Sequence, residues 1–420
     1  MFPTFEPDEN VPTTASAPSS TLLRGGAIAV LARLVGVALS LAISVVTARA
    51  LGPAGKGTFA FLSAAVALVV RAGSLGLDGS FTQFYLARRR PLAVCLGTLL
   101  WITVGAGVAA SLVGQVAIVA IPGMMQAAPR SLSVPLFLAM PAFFVLYIST
   151  FVLFGLKRET FFAVLDIGYR VALLSAFLIA FYVFDGALTA AVWIHISAGV
   201  CFAAAATVAM GRAVHWRFPF DLQLAREMLA YGVRYYSYGL LRYALCYQGV
   251  LIAGLMLTNM EAGLFSVAAA FTEVIMLFAG SVNLAFYPAV ATAADPHRYT
   301  ATATRRVLGL SCLVGIGMAI AARPVVRTLY GTAFLPSVPV FLCMLPGWIL
   351  LCGEQMMSSF FALKGMPWRV VSVFFVGTLL AAALSSVLSR QYGINGVGVA
   401  MGLSAALVSA AVAIQFVRAA

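Results

Sequence analysis

The chain has 420 residues, of which 62% are hydrophobic and only 9% charged. A soluble domain is about 45–50% apolar and about 25% charged, so a chain of this composition could not cover its own surface in water, and a soluble enzyme is excluded. The net charge of +13 is spread over short connections between apolar runs, which leaves no folded basic domain to bind nucleic acid.

Residues 1–21, rich in Pro, Ser, Thr and acids, are expected to form a disordered tail. They lack the basic start and small-residue cleavage site of a secretory signal. Beyond them, a span needs about 20 apolar residues to cross about 30 Å of hydrocarbon. Hydropathy places twelve spans at about 22–47, 57–78, 92–121, 134–156, 161–184, 187–210, 231–257, 263–289, 303–322, 336–360, 368–389 and 393–417. The runs are long and lack strict alternation, which selects helices over a barrel. The longest polar connection, about 211–230, falls in the middle. The six cysteines lie in apolar segments without metal-ligand spacing and read as small buried side chains.

Charge sets the orientation. With a cytoplasmic N-terminus, inside loops and ends carry 14 Lys and Arg against 6 outside, the latter including Arg49 and Lys56. Both termini are therefore expected in the cytoplasm. The two halves also repeat. Phe154 to Lys157 (FGLK) answers Phe361 to Lys364 (FALK), and the stretch from Asp185 answers that from Tyr392. Gly57 to Phe59 answers Gly263 to Phe265, and Met140 answers Leu345, all at offsets of 205–207. Each half holds an even number of spans, so the halves insert in the same direction. That arrangement is typical of transporters with two lobes around a shared midplane site. The reading is an all-α integral membrane protein with an N-lobe (22–210), an interlobe linker (211–230) and a C-lobe (231–417).

Two stretches carry a family resemblance. TARALGPAGKGTFAFLSA followed by SLGLDGSFTQFYL resembles the first two spans of polysaccharide flippases, and LYGTAFLPSVPVFLCMLPGWILLCGEQMMSSFFALKG resembles their ninth-to-tenth span region. These are the Wzx-like O-antigen and exopolysaccharide flippases of the multidrug/oligosaccharidyl-lipid/polysaccharide exporter superfamily. The resemblance covers about 22–417 and implies a MATE-like, two-lobe, alternating-access transporter. Its usual cargo is an undecaprenyl-diphosphate-linked oligosaccharide, moved to the outer leaflet of the bacterial cytoplasmic membrane. Membrane lipids and other polysaccharide-assembly proteins are the expected partners. The family supplies no catalytic signature to place on these residues, and no metal or cofactor is expected.

A charge inside a span is a functional hypothesis by default, because inserting it costs about 2.5–3.5 kcal/mol. Arg33 and Arg242 sit near midplane in the first and seventh spans, which correspond under the repeat; Arg71 and Arg234 would add to them. Such a cluster suits a diphosphate, since Arg presents a planar fork of permanently charged donors. The competing reading is an ion pair with Glu273 or another acid, and for Arg234 snorkelling from a helix end. Tyr231, Tyr235, Tyr238 and Arg242 form one helical stripe, in which Tyr238 is deep enough to meet cargo. Glu273 and Glu354 are the candidates to carry a coupling proton, against simple pairing with a cavity arginine; proton and sodium coupling both stay open. Asp166 and Arg170 read as an i,i+4 pair, Asp78 as a local cap or a partner of Arg88 to Arg90, and His195 as a packing residue. Pro141 and Pro346 occupy matching places and are expected to kink both lobes.

The rivals are a cation-coupled drug exporter, which favours an acidic cavity, and a membrane polymerase or ligase, which favours a long outside loop. The intramembrane charges are net positive and the outside loops short, so an anionic cargo is preferred.

Overall fold

The computed structural model describes residues 19–121, 123–156 and 159–419, apart from the side chains of 19–33, 86–87, 154–155, 159–164, 234–235, 284–285 and 288. The helices are α1 (Ser19–Gly73), α2 (Leu77–Thr82), α3 (Leu92–Ala120), α4 (Met124–Ala127), α5 (Arg130–Leu138), α6 (Met140–Gly155), α7 (Glu159–Tyr182) and α8 (Leu188–Ala213). They are followed by α9 (Leu222–Met256), α10 (Asn259–Ala291), α11 (Pro296–Leu329), α12 (Ser337–Leu363) and α13 (Trp368–Val417).

Among the described residues nine helices are long and apolar enough to cross a bilayer, and α5 with α6, bent by 49°, forms a tenth span. Two of these helices are double. A helix rises about 1.5 Å per residue, so Thr47 and Lys56 would lie about 13 Å apart on a straight rod. Instead the Lys56 ammonium donates to the Thr47 hydroxyl at 3.0 Å. The chain doubles back at Gly52, whose φ of 66° is open to glycine, and Pro53 restarts the helix. Likewise α13 breaks at Gly393, with φ of 56°. A methyl on Gly396 would lie 2.1 Å from the Leu388 carbonyl oxygen, which a straight helix cannot do. With α1 and α13 each counted as two, twelve spans result, as the hydropathy indicates.

The apolar core falls into one large cluster and smaller ones, with Ala48 of α1 in the large one. One large cluster joins α9 to α13 through Phe265, Phe341, Trp348, Phe374 and Met401. The clusters around Phe61, Phe137, Phe144 and Phe177 and around Phe81, Leu96 and Val152 lie among the first eight helices and the start of α9.

Four sequence expectations change. Residues 1–18 of the expected tail lie outside the described residues, and α1 already runs from Ser19. The expected linker 211–230 is shorter, because α9 starts at Leu222, where the Asp221 carboxylate accepts from the Leu224 amide at 3.0 Å. The boundary at 230 therefore falls inside one continuous helix, whose first turns pack on α2: Ser80 donates to the Met228 carbonyl at 2.7 Å. The matched prolines act differently. The α5–α6 break precedes Pro141, while α12 continues as one helix through Pro346. Lys56, counted among outside loops, is buried, since the Gly52 turn is too short to leave it in solvent.

Candidate functional site

Between the halves lies a cavity of about 1040 Å³, lined mainly by α9, α10 and α12, with Arg71 from α1 and Gln83 and Arg88 beyond α2. Exposed Arg88 and Gly365 mark its rim, so it opens at the end that carries the α2–α3 and α12–α13 connections. Glu273, on its wall, also lines a smaller cavity of about 220 Å³ with Ser40, Ser44, Ser63 and Ser266.

The first polar centre is Arg71. Its guanidinium carbon lies 5.0 Å from the ring centre of Tyr147 and 4.8 Å from that of Tyr243, so the cation is held between two aromatic faces. The Tyr147 and Tyr236 hydroxyls meet at 3.4 Å beside it. Only three ion pairs occur among the described residues, and Arg71 is in none of them. Its other polar neighbours are the Tyr236 hydroxyl and the Asp78 carboxylate.

The second centre is the opposite case. Arg242 Nε donates to Glu354 at 3.3 Å, Tyr238 donates to the same carboxylate at 3.2 Å, and Ser358 donates to it as well. Glu354 is fully buried, whereas the Arg242 side chain keeps 19% exposure toward the cavity. A buried carboxylate with three donors, one charged, is compensated in place. Of the two rival readings of Arg242, the pairing is the one observed, with Glu354 rather than Glu273 as partner.

The other candidates are placed as follows. Glu273 lines both cavities, with the Tyr247 hydroxyl, Arg170 and Lys56 among the groups that act on it. Arg170 pairs with Asp166 at 3.3 Å and donates to Ser40 of α1. Asp78 sits in the first turn of α2, while Arg88 pairs with Glu227 at 3.7 Å instead. His195 packs against Phe59 and Phe143 beside the Tyr169 hydroxyl. The side chains of Arg33 and Arg234 lie outside the described residues.

Sequence reasoning missed Tyr147, Tyr236, Tyr243 and Tyr247. At about 100° per residue, Tyr236, Tyr243 and Tyr247 form a stripe on α9 roughly opposite Tyr238 and Arg242. The periodicity was readable; which stripe meets Arg71 was not.

A bundle of twelve spans around a central cavity lined by arginines, tyrosines and an acid is the architecture of a membrane transporter. The model of a family described as polysaccharide biosynthesis protein matches residues 46–339. The chain belongs to that family. Its fold is similar to a structure described as the inward-facing conformation of a multidrug resistance MATE family transporter of the MOP superfamily. That similarity has a TM-score of 0.73 and 13% identity over 93% of this chain and 98% of that one. It is also similar to the inward closed conformation of the lipid II flippase MurJ, with a TM-score of 0.70 and 11% identity over 94% and 87%. A third likeness is to a MOP superfamily transporter from Pyrococcus furiosus described as having a binding pocket of reverse polarity. Its TM-score is 0.65, with 12% identity over 96% and 98%. A search of curated proteins found no sequence match.

Proposed function

We propose that the protein flips an undecaprenyl-diphosphate-linked oligosaccharide from the inner to the outer leaflet of the bacterial cytoplasmic membrane by alternating access, for surface polysaccharide assembly. The observation that carries this reading is Arg71, a cation in no ion pair among the described residues, held between Tyr147 and Tyr243 on the wall of the cavity. The stacked guanidinium, with the Tyr236 hydroxyl beside it, presents edge donors that suit phosphate oxygens, as Arg does in anion recognition. Tyrosines on both sides of α9 offer apolar faces and hydroxyl tips, which suit sugar rings. The cavity, about 1040 Å³, is at the upper end of the roughly 300–1,000 Å³ typical of small-molecule pockets. Membership of the polysaccharide biosynthesis family and the fold shared with a lipid II flippase support the same cargo class.

The excess of Lys and Arg in the inside loops supports cytoplasmic termini; on that reading the cavity mouth at Arg88 and Gly365 faces the cytoplasmic leaflet and receives the headgroup while the prenyl chain stays in lipid. The lobes then rock. Arg33 and Arg234 remain candidate phosphate ligands, and Arg242 becomes a ligand only when it leaves Glu354.

The test is lipid analysis of a deletion strain. Accumulated undecaprenyl-diphosphate glycan with lost surface polysaccharide, restored by wild type and not by Arg71→Ala, is the expected result. Unchanged glycan pools with new sensitivity to amphipathic cations would transfer the protein to the drug-exporter reading.

A further inference from the structure

The cavity stops short of the Gly52 turn, and what seals it there is built twice. Gly57 and Gly263 correspond under the repeat. A methyl on Gly57 would lie 1.7 Å from the Asn259 carbonyl oxygen, and one on Gly263 2.0 Å from that of Pro53. Pro53 and Asn259 correspond as well, so one contact is made twice across a pseudo-twofold axis. The flanks obey the same offset, with position 49 answering 255 and 123 answering 329. On one flank Gly123 presses its backbone on the Leu255 carbonyl, 2.6 Å from where a methyl would sit. On the other flank backbone contact is replaced by a side chain. Arg49 Nε donates to the Leu329 carbonyl at 2.7 Å, and its Nη2 donates to the Thr328 carbonyl. Tyr330, next in the chain, reaches Ser44 of α1 at 3.3 Å.

The chemistry of this flank follows from where α11 stops. A helix leaves its last carbonyls without internal partners and its end partly negative. The Tyr330 and Gly331 amides both return to the Val326 carbonyl, so the Thr328 and Leu329 carbonyls are left for another donor. Arg49, from the other lobe, brings a charged fork that fits both. Glycine-to-backbone contacts lose only dispersion when they part, whereas the guanidinium must leave two carbonyls.

We propose that Arg49 is the latch of the gate at the Gly52 end: it ties α1 to the C-terminus of α11 while the cavity is open at the opposite end, and the lobes part only when it lets go. The proposal rests on the rocking of two lobes inferred above. A charge-assisted hydrogen bond is worth at least roughly tenfold in an equilibrium constant, and Gln at position 49 can keep a neutral one, so losing the charged latch shifts the closed-to-open ratio by about tenfold or more.

The experiment places spin labels at Met125→Cys and Met260→Cys, exposed on α4 and α10 at this end, after replacing the six native cysteines. The interlobe distance distribution is read in nanodiscs of bacterial lipid. Arg49→Gln should raise the long-distance population about tenfold or more, with Arg49→Lys between it and wild type. Gly57→Leu, which must wedge the lobes apart, supplies the reference for opening. If Gly57→Leu lengthens the distance and Arg49→Gln leaves it unchanged, the latch is wrong and the rocking stands. If neither variant lengthens it, the latch and the rocking fall together.

Discussion

Removing either partner of the Arg242–Glu354 pair should have very unequal consequences. Arg242→Ala leaves a carboxylate with no solvent exposure and only the Tyr238 and Ser358 hydroxyls. Stranding one charge of a buried pair costs about 3–5 kcal/mol. At the observed 3.3 Å the lost attraction is itself about 5 kcal/mol with an effective dielectric of about 20, so the upper part of that range applies. Glu354→Gln strands the arginine instead, but that side chain keeps 19% exposure to the cavity and water can solvate it. Gln also keeps an oxygen for Tyr238 or Ser358. The expected cost is about 1–2 kcal/mol, near that of one buried hydrogen bond. The double variant removes both charges and should recover at least about 2 kcal/mol of the summed losses. Melting of the purified single and double variants in one detergent measures all three values. Equal losses for the single variants, or additive losses in the double, would refute the pairing and return Arg242 to the free anion site.

The packing of the C-lobe gives a second expectation. A methyl on Gly347 would lie 2.1 Å from the Gly402 carbonyl oxygen, so Gly347→Ala must push α12 from α13 and cost about 1–3 kcal/mol, visible as a lowered melting temperature. At the start of α10, Thr258 and Glu261 cap each other: the Thr258 hydroxyl accepts from the Glu261 amide at 3.3 Å and the Glu261 carboxylate accepts from the Thr258 amide at 3.1 Å. Thr258→Ala should cost about 1 kcal/mol in the same assay, while Thr258→Ser should leave the melting temperature near wild type.

Most of the transmembrane scaffold was legible because the bilayer fixes span length, and an apolar run of that length has few other uses. The departures have local causes. Hydropathy treats the polar residues after Ala213 as loop, yet Asp221 can cap a helix there, so α9 gains about two turns before it enters the membrane. Lys56 counted as a loop charge because the sequence does not reveal how tight the Gly52 turn is. At the site, the costly residues were visible as charges in apolar runs: Arg71, Arg242, Glu273 and Glu354. Their pairing was not visible. Arg242 and Glu354 are 112 residues apart, and which face of α9 meets α12 depends on how the whole lobe packs. The ranking of the arginines changes for that reason. Arg242 is compensated by an acid on a neighbouring helix, while Arg71, ranked behind it, is held by aromatic rings and is in no ion pair among the described residues.

Glu273 is where the transport cycle can be separated from the architecture. It stands between the central cavity and the small serine-lined one, on the path that must open if the lobes part at the Gly52 end. Two roles are physically distinct there. As a coupling acid it exchanges a proton between the two openings, and Glu273→Gln, which keeps shape and hydrogen bonds, abolishes any dependence of flipping on the pH gradient while leaving stability nearly unchanged. As a structural counter-charge it offsets Lys56, which is buried with the Thr47 hydroxyl as its hydrogen-bond partner. Glu273→Gln then strands an ammonium in a low-dielectric place and lowers the melting temperature, and Lys56→Met added to it restores stability. Because buried Lys56 has only a neutral hydroxyl as its hydrogen-bond partner, the second role is the stronger expectation: a lowered melting temperature in Glu273→Gln, recovered in the double variant, with the pH profile of flipping in proteoliposomes unchanged. A variant that melts like wild type and flips at one rate at every pH gradient would overturn it and assign Glu273 to coupling.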